Sequence, residues 1–374
     1  MKKIRILSYQ NAHNFGAVLQ AYGLQQTIKS MGYEDVKFIN YNPKYLSDRY
    51  NPFLKEHFTP SRKITGTIFK YANYPFFLLS CLKRNRKFRW SIKTMLEQTS
   101  IVIVDEKGLK NEEVDILICG SDQIWNTALT KEFDGVFFGK GPYKHLGYAA
   151  SYAPSTELSS LTEEKAKLLC GQLDVFKYIS VREIPVRDRL QKYLTKEIKV
   201  CVDPTLLCGP QAFHRIASPR QEKKEYIVVY AYNPTDSIVL DLIKHIPNRE
   251  KYVIHVVMLG EKGVLSLFKN NYHSAITVQD FLSYMKYASY VVTNSFHGLA
   301  FSLLFEKNFN VAYCEGKEVR CQSLLQQIGL NERMIRQESI IKWEDIDYRI
   351  INQRISEIRN DSLEYLRKVL EDEG

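Results

Sequence analysis

Residues 290–305 (YVVTNSFHGLAFSLLF) limit most sharply what this chain can become. Residues 290–293 form an apolar run of strand length, and Asn294, Ser295 and Phe296 make a polar turn. His297 and Gly298 then open an apolar helix. A strand and a helix that are both apolar throughout must be covered on both sides, as in a parallel sheet flanked by helices. The helix start between them is a small-anion site in waiting: its first N–H groups lack partners, and the helix dipole favours negative charge. His297 stands at that mouth, where an imidazole can move a proton near neutral pH. Taken alone, a histidine that merely caps the turn is the simpler reading.

The same grammar recurs along the chain. Residues 4–9 read as a buried strand, followed by a polar loop (Gln10, Asn11, Ala12, His13, Asn14, Phe15, Gly16) and a helix. Ala17, Ala21, Leu24 and Ile28 fall on one face of that helix, and Gly32 ends it. Residues 36–39 are the next strand. This opening belongs to an open parallel sheet, whose ligands sit beyond the carboxyl ends of the strands. Asn14, Phe15 and Gly16 lie at such an end, where Gly16 permits close approach to a ligand; the loop is no GxGxxG, so no dinucleotide is indicated.

Residues 114–119 are a third strand, running into Gly120-Ser121-Asp122-Gln123-Ile124-Trp125-Asn126. That density of polar groups points to function: Asp122 as a base or hydroxyl binder, Trp125 as a platform for a sugar ring. The competing reading has Ser121 and Asp122 capping a following helix. Further strands are expected at 145–151, ending in Ser151 and Tyr152 of the run SYAPS, at 178–181 before Arg182-Glu183, and at 198–202 before Asp203-Pro204-Thr205. Helix 161–173 lies among them. Alternation restarts near Glu225, with strands at 226–232, 251–258 and 309–313 and helices at 234–246 and 278–287. Residues 343–373 read as a long charged helix or two. Its Asp345-Ile346-Asp347 is taken as a solvated helix start, so no metal site is expected.

At 374 residues the chain exceeds one ordinary core. The division expected is an N-terminal Rossmann-like domain over 1–180, carrying the acceptor side, a second over 181–335 with the donor side, and a helical segment over 336–374 packing back on the first. An α/β pair of this kind places its ligand in the cleft between facing strand ends.

Residues 41–100 are irregular at first, rich in Tyr, Pro and Asn. Residues 64–71 and 88–96 look helical, and between them FFLLSCL (76–82) precedes Lys83, Arg84, Arg86, Lys87, Arg89 and Lys93. Apolar anchoring beside a basic cluster is how peripheral proteins reach anionic lipid, here the inner membrane surface. A helical hairpin with a solvated basic face is the plainer and preferred reading. The net charge of +10 favours anionic partners. No RNA- or DNA-binding signature accompanies it, so nucleic acid is not expected. The seven cysteines form no CxxC pair, which suits reduced, mostly buried thiols and a cytoplasmic setting. The start, MKKIRILSYQN, is broken by Arg5 and reads as a strand, not a signal peptide. No run approaches the length of a membrane span.

NFGAVLQAYGLQ, ICGSDQIWN, SYAPS, ISVRE, CVDPTLL and TNSFHGLAFSLLF, in this order, resemble the polysaccharide pyruvyl transferase family over residues 14 to about 305. The resemblance implies two Rossmann-like domains in a GT-B-type arrangement. It also implies transfer from phosphoenolpyruvate onto two hydroxyls of a glycan or lipid-linked glycan, giving a ketal and phosphate in exopolysaccharide or related synthesis. No cofactor or metal is then needed beyond the donor substrate. His297 matches the family's histidine, Arg182 an arginine holding the donor's anionic groups, and Asp122 is the candidate for orienting the acceptor hydroxyl. The expected binding set is Asn14, Phe15, Gly16, Gln20, Gly120, Ser121, Gln123, Trp125, Asn126, Ser151, Tyr152, Asn294, Ser295, Phe296, Gly298 and Arg320. One position departs from the pattern: some members carry Arg two residues before the histidine, where this chain has Ser295, so that cation is either missing or supplied from elsewhere, by Arg320 or Lys307. Two other functions fit the same shape, a nucleotide-sugar glycosyltransferase and a non-catalytic glycan- or anion-binding protein.

Overall fold

The computed structural model describes residues 2–54, 64–126, 129, 133–139, 143–152, 162–258, 271–337, 339 and 341–372, with 64–73 as backbone only. Residues 153–155 of SYAPS lie outside this set. Two parallel six-stranded sheets carry the fold, with helices packed around them. The first has the order β2-β1-β3-β4-β5-β6, from β1 (Ile4–Leu7), β2 (Val36–Phe38), β3 (Ile116–Asp122), β4 (Lys144–Ala150), β5 (Tyr178–Val181) and β6 (Ile198–Val200). The second, β12-β11-β10-β7-β8-β9, comprises β7 (Tyr226–Ala231), β8 (Val253–Met258), β9 (Tyr272–His273), β10 (Tyr290–Thr293), β11 (Asn308–Ala312) and β12 (Met334–Ile335). This is the α/β, GT-B-type arrangement expected from the sequence. Since β6 completes the first sheet, that sheet continues past the expected boundary at residue 180, and the second begins at Tyr226.

Chain order reverses direction between β1 and β3 in one sheet and between β7 and β10 in the other. Ile4 pairs with both Val36 and Ile116, and Tyr290 with both Ile227 and Asn308. Crevices at such switch points, beyond the strand carboxyl ends, are where open α/β sheets bind ligands.

A shared apolar core fixes the two sheets against each other. Helix α1 (Phe15–Ser30) is buried along most of its length. Its Phe15 stacks on Phe281, with ring centroids 4.7 Å apart and planes at 6°. Phe15 is therefore core, not a ligand contact, and truncating it should cost about 3–5 kcal/mol of stability.

Residues 64–95 form one helix, α2, with Pro75 inside it. The expected hairpin is absent. An internal proline costs about 3 kcal/mol. The buried stripe that includes Cys81, Arg84, Phe88, Ile92 and Met95 offsets it. Arg84 donates to His13 O and to Ser274 O, so this helix braces both domains. A last helix, α3 (Tyr348–Glu371), is capped by Asp347 and runs from the second domain back across the first. Arg354 donates to Ile328 O, Ser362 accepts from Val202 N, and Asp372 pairs with Lys177 at 2.7 Å. No helix among the described residues is long and apolar enough to cross a membrane.

Candidate active site

A cavity of about 230 Å³ lies where the two switch points face each other. The first domain contributes Ser8, Tyr9, Asn11, Asn14, Tyr41, Asn42, Arg49, Tyr50, Asp122 and Gln123, among others. The second contributes Tyr232 after β7, Ser295 and His297 after β10, and Arg320.

His297 sits in the first turn of the helix Phe296–Leu304, whose N-cap is Ser295. Its ring is buried and its Nε2 has no hydrogen-bond partner; the nearest carboxylate, Asp203 Oδ2, is 3.8 Å away. Burial pushes its pKa down to about 4, against the pull of Asp203 and Asp122 and with the help of Arg182 and Arg320. With no anion beside it, His297 is therefore neutral at pH 7. The folded pKa lies below the unfolded value of about 6.5, so the unfolded chain binds the proton first. His297 costs nothing above pH 6.5 and destabilises by up to about 1.4 kcal/mol per pH unit as pH falls toward 4. Urea denaturation across this range should show a shallower acid loss in His297→Asn than in the parent.

Gly16 does not make room for a ligand. A Cβ there would lie 2.0 Å from His297 Nδ1, so the first turn of α1 is the wall against which the imidazole rests. Asn14 caps that turn, its Oδ1 accepting from the Gly16 and Ala17 amides at 2.9 and 3.3 Å. Gly298 has a comparable role, since a Cβ would meet Thr293 Oγ1 at 2.1 Å. Gly120 (φ 127°) lies under Tyr148 O, 2.2 Å from where a Cβ would stand.

Arg182 is fully enclosed and does not line the cavity. It donates from Nη1 to Asp203 Oδ2 at 2.5 Å, lies 3.5 Å from Glu183 and 3.9 Å from Asp122, and covers the Phe296 ring at 5.0 Å. Burial works against its charge, but the three carboxylates outweigh burial and raise its pKa. Asp203 also accepts from the Thr205 amide at 2.9 Å and hydroxyl at 2.7 Å. Arg182 and Asp203 thus form a buried charge platform behind His297.

Arg320 is the buried cation that faces the cavity. Its Nη2 donates to Tyr232 OH at 3.3 Å. With the Gln123 amide turned so that its oxygen faces the guanidinium, Nη1 and Nη2 donate to it at 2.9 and 3.2 Å. Lys307 is not among the residues lining the cavity. Asp122 reaches the wall with φ 74°, a left-handed backbone that aspartate tolerates better than most residues. Its Oδ1 accepts from the Gln123 amide at 2.9 Å.

Several expected contacts are structural instead. Trp125 is buried between Phe138 and Phe176 and is no sugar platform. Trp125→Ala should cost about 3–5 kcal/mol in urea denaturation, whereas Trp125→Phe should keep ligand binding. Ser121 donates to Ala149 O, Ser151 to Glu183, and Gln20 to Ser8 and Ala17 O. Asn294 accepts from the Tyr232 amide at 2.8 Å. Asn126 and Tyr152 are buried outside the cavity. The expected set omitted Asp203, Arg49, Tyr232 and the cluster of Tyr9, Tyr41, Tyr50, Asn11 and Asn42. Asp203 had a visible signal, an acid directly after a strand; the Tyr and Asn residues after β2 lay in a stretch without periodicity.

A family model described as polysaccharide pyruvyl transferase matches residues 14–313. No curated protein matches the chain. Among solved structures, UDP-GlcNAc 2-epimerase from Methanocaldococcus jannaschii is similar at 11% identity and TM-score 0.49, covering 99% of each chain. S. aureus MnaA with UDP has 11% identity and TM-score 0.48, covering 99% of this chain and 91% of its own. E. coli ADP-heptose heptosyltransferase II has 11% identity and TM-score 0.36, covering 96% and 99%. Likenesses this distant assign no ligand.

Proposed function

The chain belongs to the polysaccharide pyruvyl transferase family, and we propose that it transfers the enolpyruvyl unit of phosphoenolpyruvate onto two hydroxyls of a glycan sugar. The observation that carries this reading is the convergence of an unpartnered buried His297, the Phe296–Leu304 helix start and Arg320 on one cavity. Phosphate and carboxylate are what a helix N-terminus and a guanidinium bind.

His297, neutral before the donor binds, takes up a proton as the multiply charged donor enters, because nearby negative charge raises its pKa. It delivers that proton to C3 of the donor, and C2 becomes electrophilic. The first sugar hydroxyl bonds to C2, the C2–O bond to phosphate breaks, and phosphate leaves with the electron pair and the hydroxyl's proton. The second hydroxyl then closes the ketal and returns its proton to His297. Asp122 orients the acceptor hydroxyl. Arg320 supplies the donor contact that Ser295 does not, and the Arg182–Asp203 pair holds the field behind His297. The tyrosines and asparagines of the first-domain wall suit the hydroxyls of a sugar.

The test is phosphate release from phosphoenolpyruvate against a panel of glycan acceptors. Release that depends on acceptor and is lost in His297→Ala supports the reading. Turnover of a nucleotide sugar in its place replaces it with glycosyl transfer. Arg320→Gln should raise the donor Kd about 10- to 100-fold, the value of one charged hydrogen-bonding partner, with little change in kcat.

A further inference from the structure

We propose that the outer face of α2 together with the loop at 101–104 is a docking surface for an anionic lipid bilayer. The helix is held from behind: Arg84 bonds to both domains, and Ser91 accepts from the Val278 amide at 3.1 Å and donates to Gln279. Its outer face therefore presents a fixed row of side chains. On that face, at helical spacing, Leu79, Leu82 and Trp90 alternate with Lys83, Arg86, Lys87 and Lys93. Leu82 is 43% exposed and Trp90 52%, although burying such side chains is worth about 1.5–3 kcal/mol each. Ile101, Val102 and Val104, 54–67% exposed, form a second apolar element in the loop that follows.

The charge pattern selects the occupant. No Asp or Glu occurs between Glu56 and Glu97. Among the described residues, no ion pair engages Lys83, Arg86, Lys87, Arg89 or Lys93. A helix shared between apolar anchors and unneutralised cations is the composition of an interfacial helix, whose leucines and tryptophan enter the headgroup boundary while each cation adds about 1 kcal/mol on anionic lipid. A helix for a solvated surface would carry acids among its bases and fewer exposed anchors.

The surface also leads to the active site. Phe53, Leu82, Arg86, Arg89 and Val102 line an open groove of about 840 Å³. Asn11, Asn42 and Tyr50 are walls of both this groove and the His297 cavity. Docked this way, the protein would receive a membrane-borne ligand along the groove. That last consequence rests on the transferase reading; the docking itself does not.

The test is flotation of the full-length protein with vesicles of phosphatidylcholine alone and of phosphatidylcholine with about a third phosphatidylglycerol, a typical anionic surface. The protein should float with the anionic vesicles at low salt, with Trp90 emission shifting to the blue, and should be released at high salt. Leu79→Glu with Trp90→Glu should reduce the bound fraction at least tenfold, as should Lys83→Glu with Lys87→Glu, while phosphoenolpyruvate binding and the melting temperature stay as in the parent. Failure to float, equal binding to neutral vesicles, or binding indifferent to both double variants would overturn the proposal. A concentration-dependent dimer abolished by the same variants would overturn it in favour of a second copy on this face. Floating without any phosphoenolpyruvate binding would leave the docking standing and remove the transferase reading.

Discussion

Gly16→Ala should cost at least about 100-fold in kcat while leaving the protein folded. The added Cβ would lie 2.0 Å from His297 Nδ1 and 2.2 Å from Cγ, closer than packed atoms can come. The backbone of α1 is held by the Asn14 cap and by Phe15 on Phe281, so the helix yields less readily than the ring. The imidazole's free side faces the cavity, and it must swing that way. A shift of about 1 Å in a proton-transferring group is enough for a loss of this size. Steady-state kinetics with matched circular dichroism spectra would check it. Normal turnover in Gly16→Ala would mean that the observed position of His297 is not the one used in catalysis.

His297→Asn should lower turnover by about 10²–10⁴-fold, the range supplied by a positioned general acid and base. Donor affinity should fall much less, because Arg320 and the helix start remain. The neutral state of His297 before the donor binds adds a signature, since burial holds its pKa down to about 4. If donor binding charges it, phosphoenolpyruvate affinity in the parent should weaken steadily as pH rises above about 4, because the proton becomes harder to take up, and level off above the pKa that His297 has in the complex. In His297→Asn that slope should flatten. An unchanged slope would separate His297 from the proton that binding recruits.

Much of this site is readable from the chain alone, and the exceptions have a common cause. His297 and Asp122 follow strand ends and line the cavity, because strand ends followed by polar turns meet at the switch points, while Arg320 reaches it from the helix Glu318–Ile328. Trp125 and Phe15 misled because local pattern shows that an aromatic follows a strand but not which way it turns; packing against Phe138 and Phe281 decided that. Gly16 reads as space for a ligand, and the space belongs to His297, a contact between residues 281 positions apart. Arg182 looked like the donor's cation, but Asp203, 21 residues on, claims it behind the cavity. The separate helices expected at 64–71 and 88–96 are one helix, because a buried stripe along residues 81–95 holds it to the domains beneath. In each of these pairs the decisive partner lies beyond the reach of local sequence pattern.

The most direct test of the account is a calorimetric titration of the protein with phosphoenolpyruvate, repeated in buffers of different ionisation enthalpy. Binding at one site, with net proton uptake that vanishes in His297→Asn and affinity that falls about 10- to 100-fold in Arg320→Gln, is the expected result. Absence of phosphoenolpyruvate binding, with a nucleotide sugar bound in its place, would contradict it.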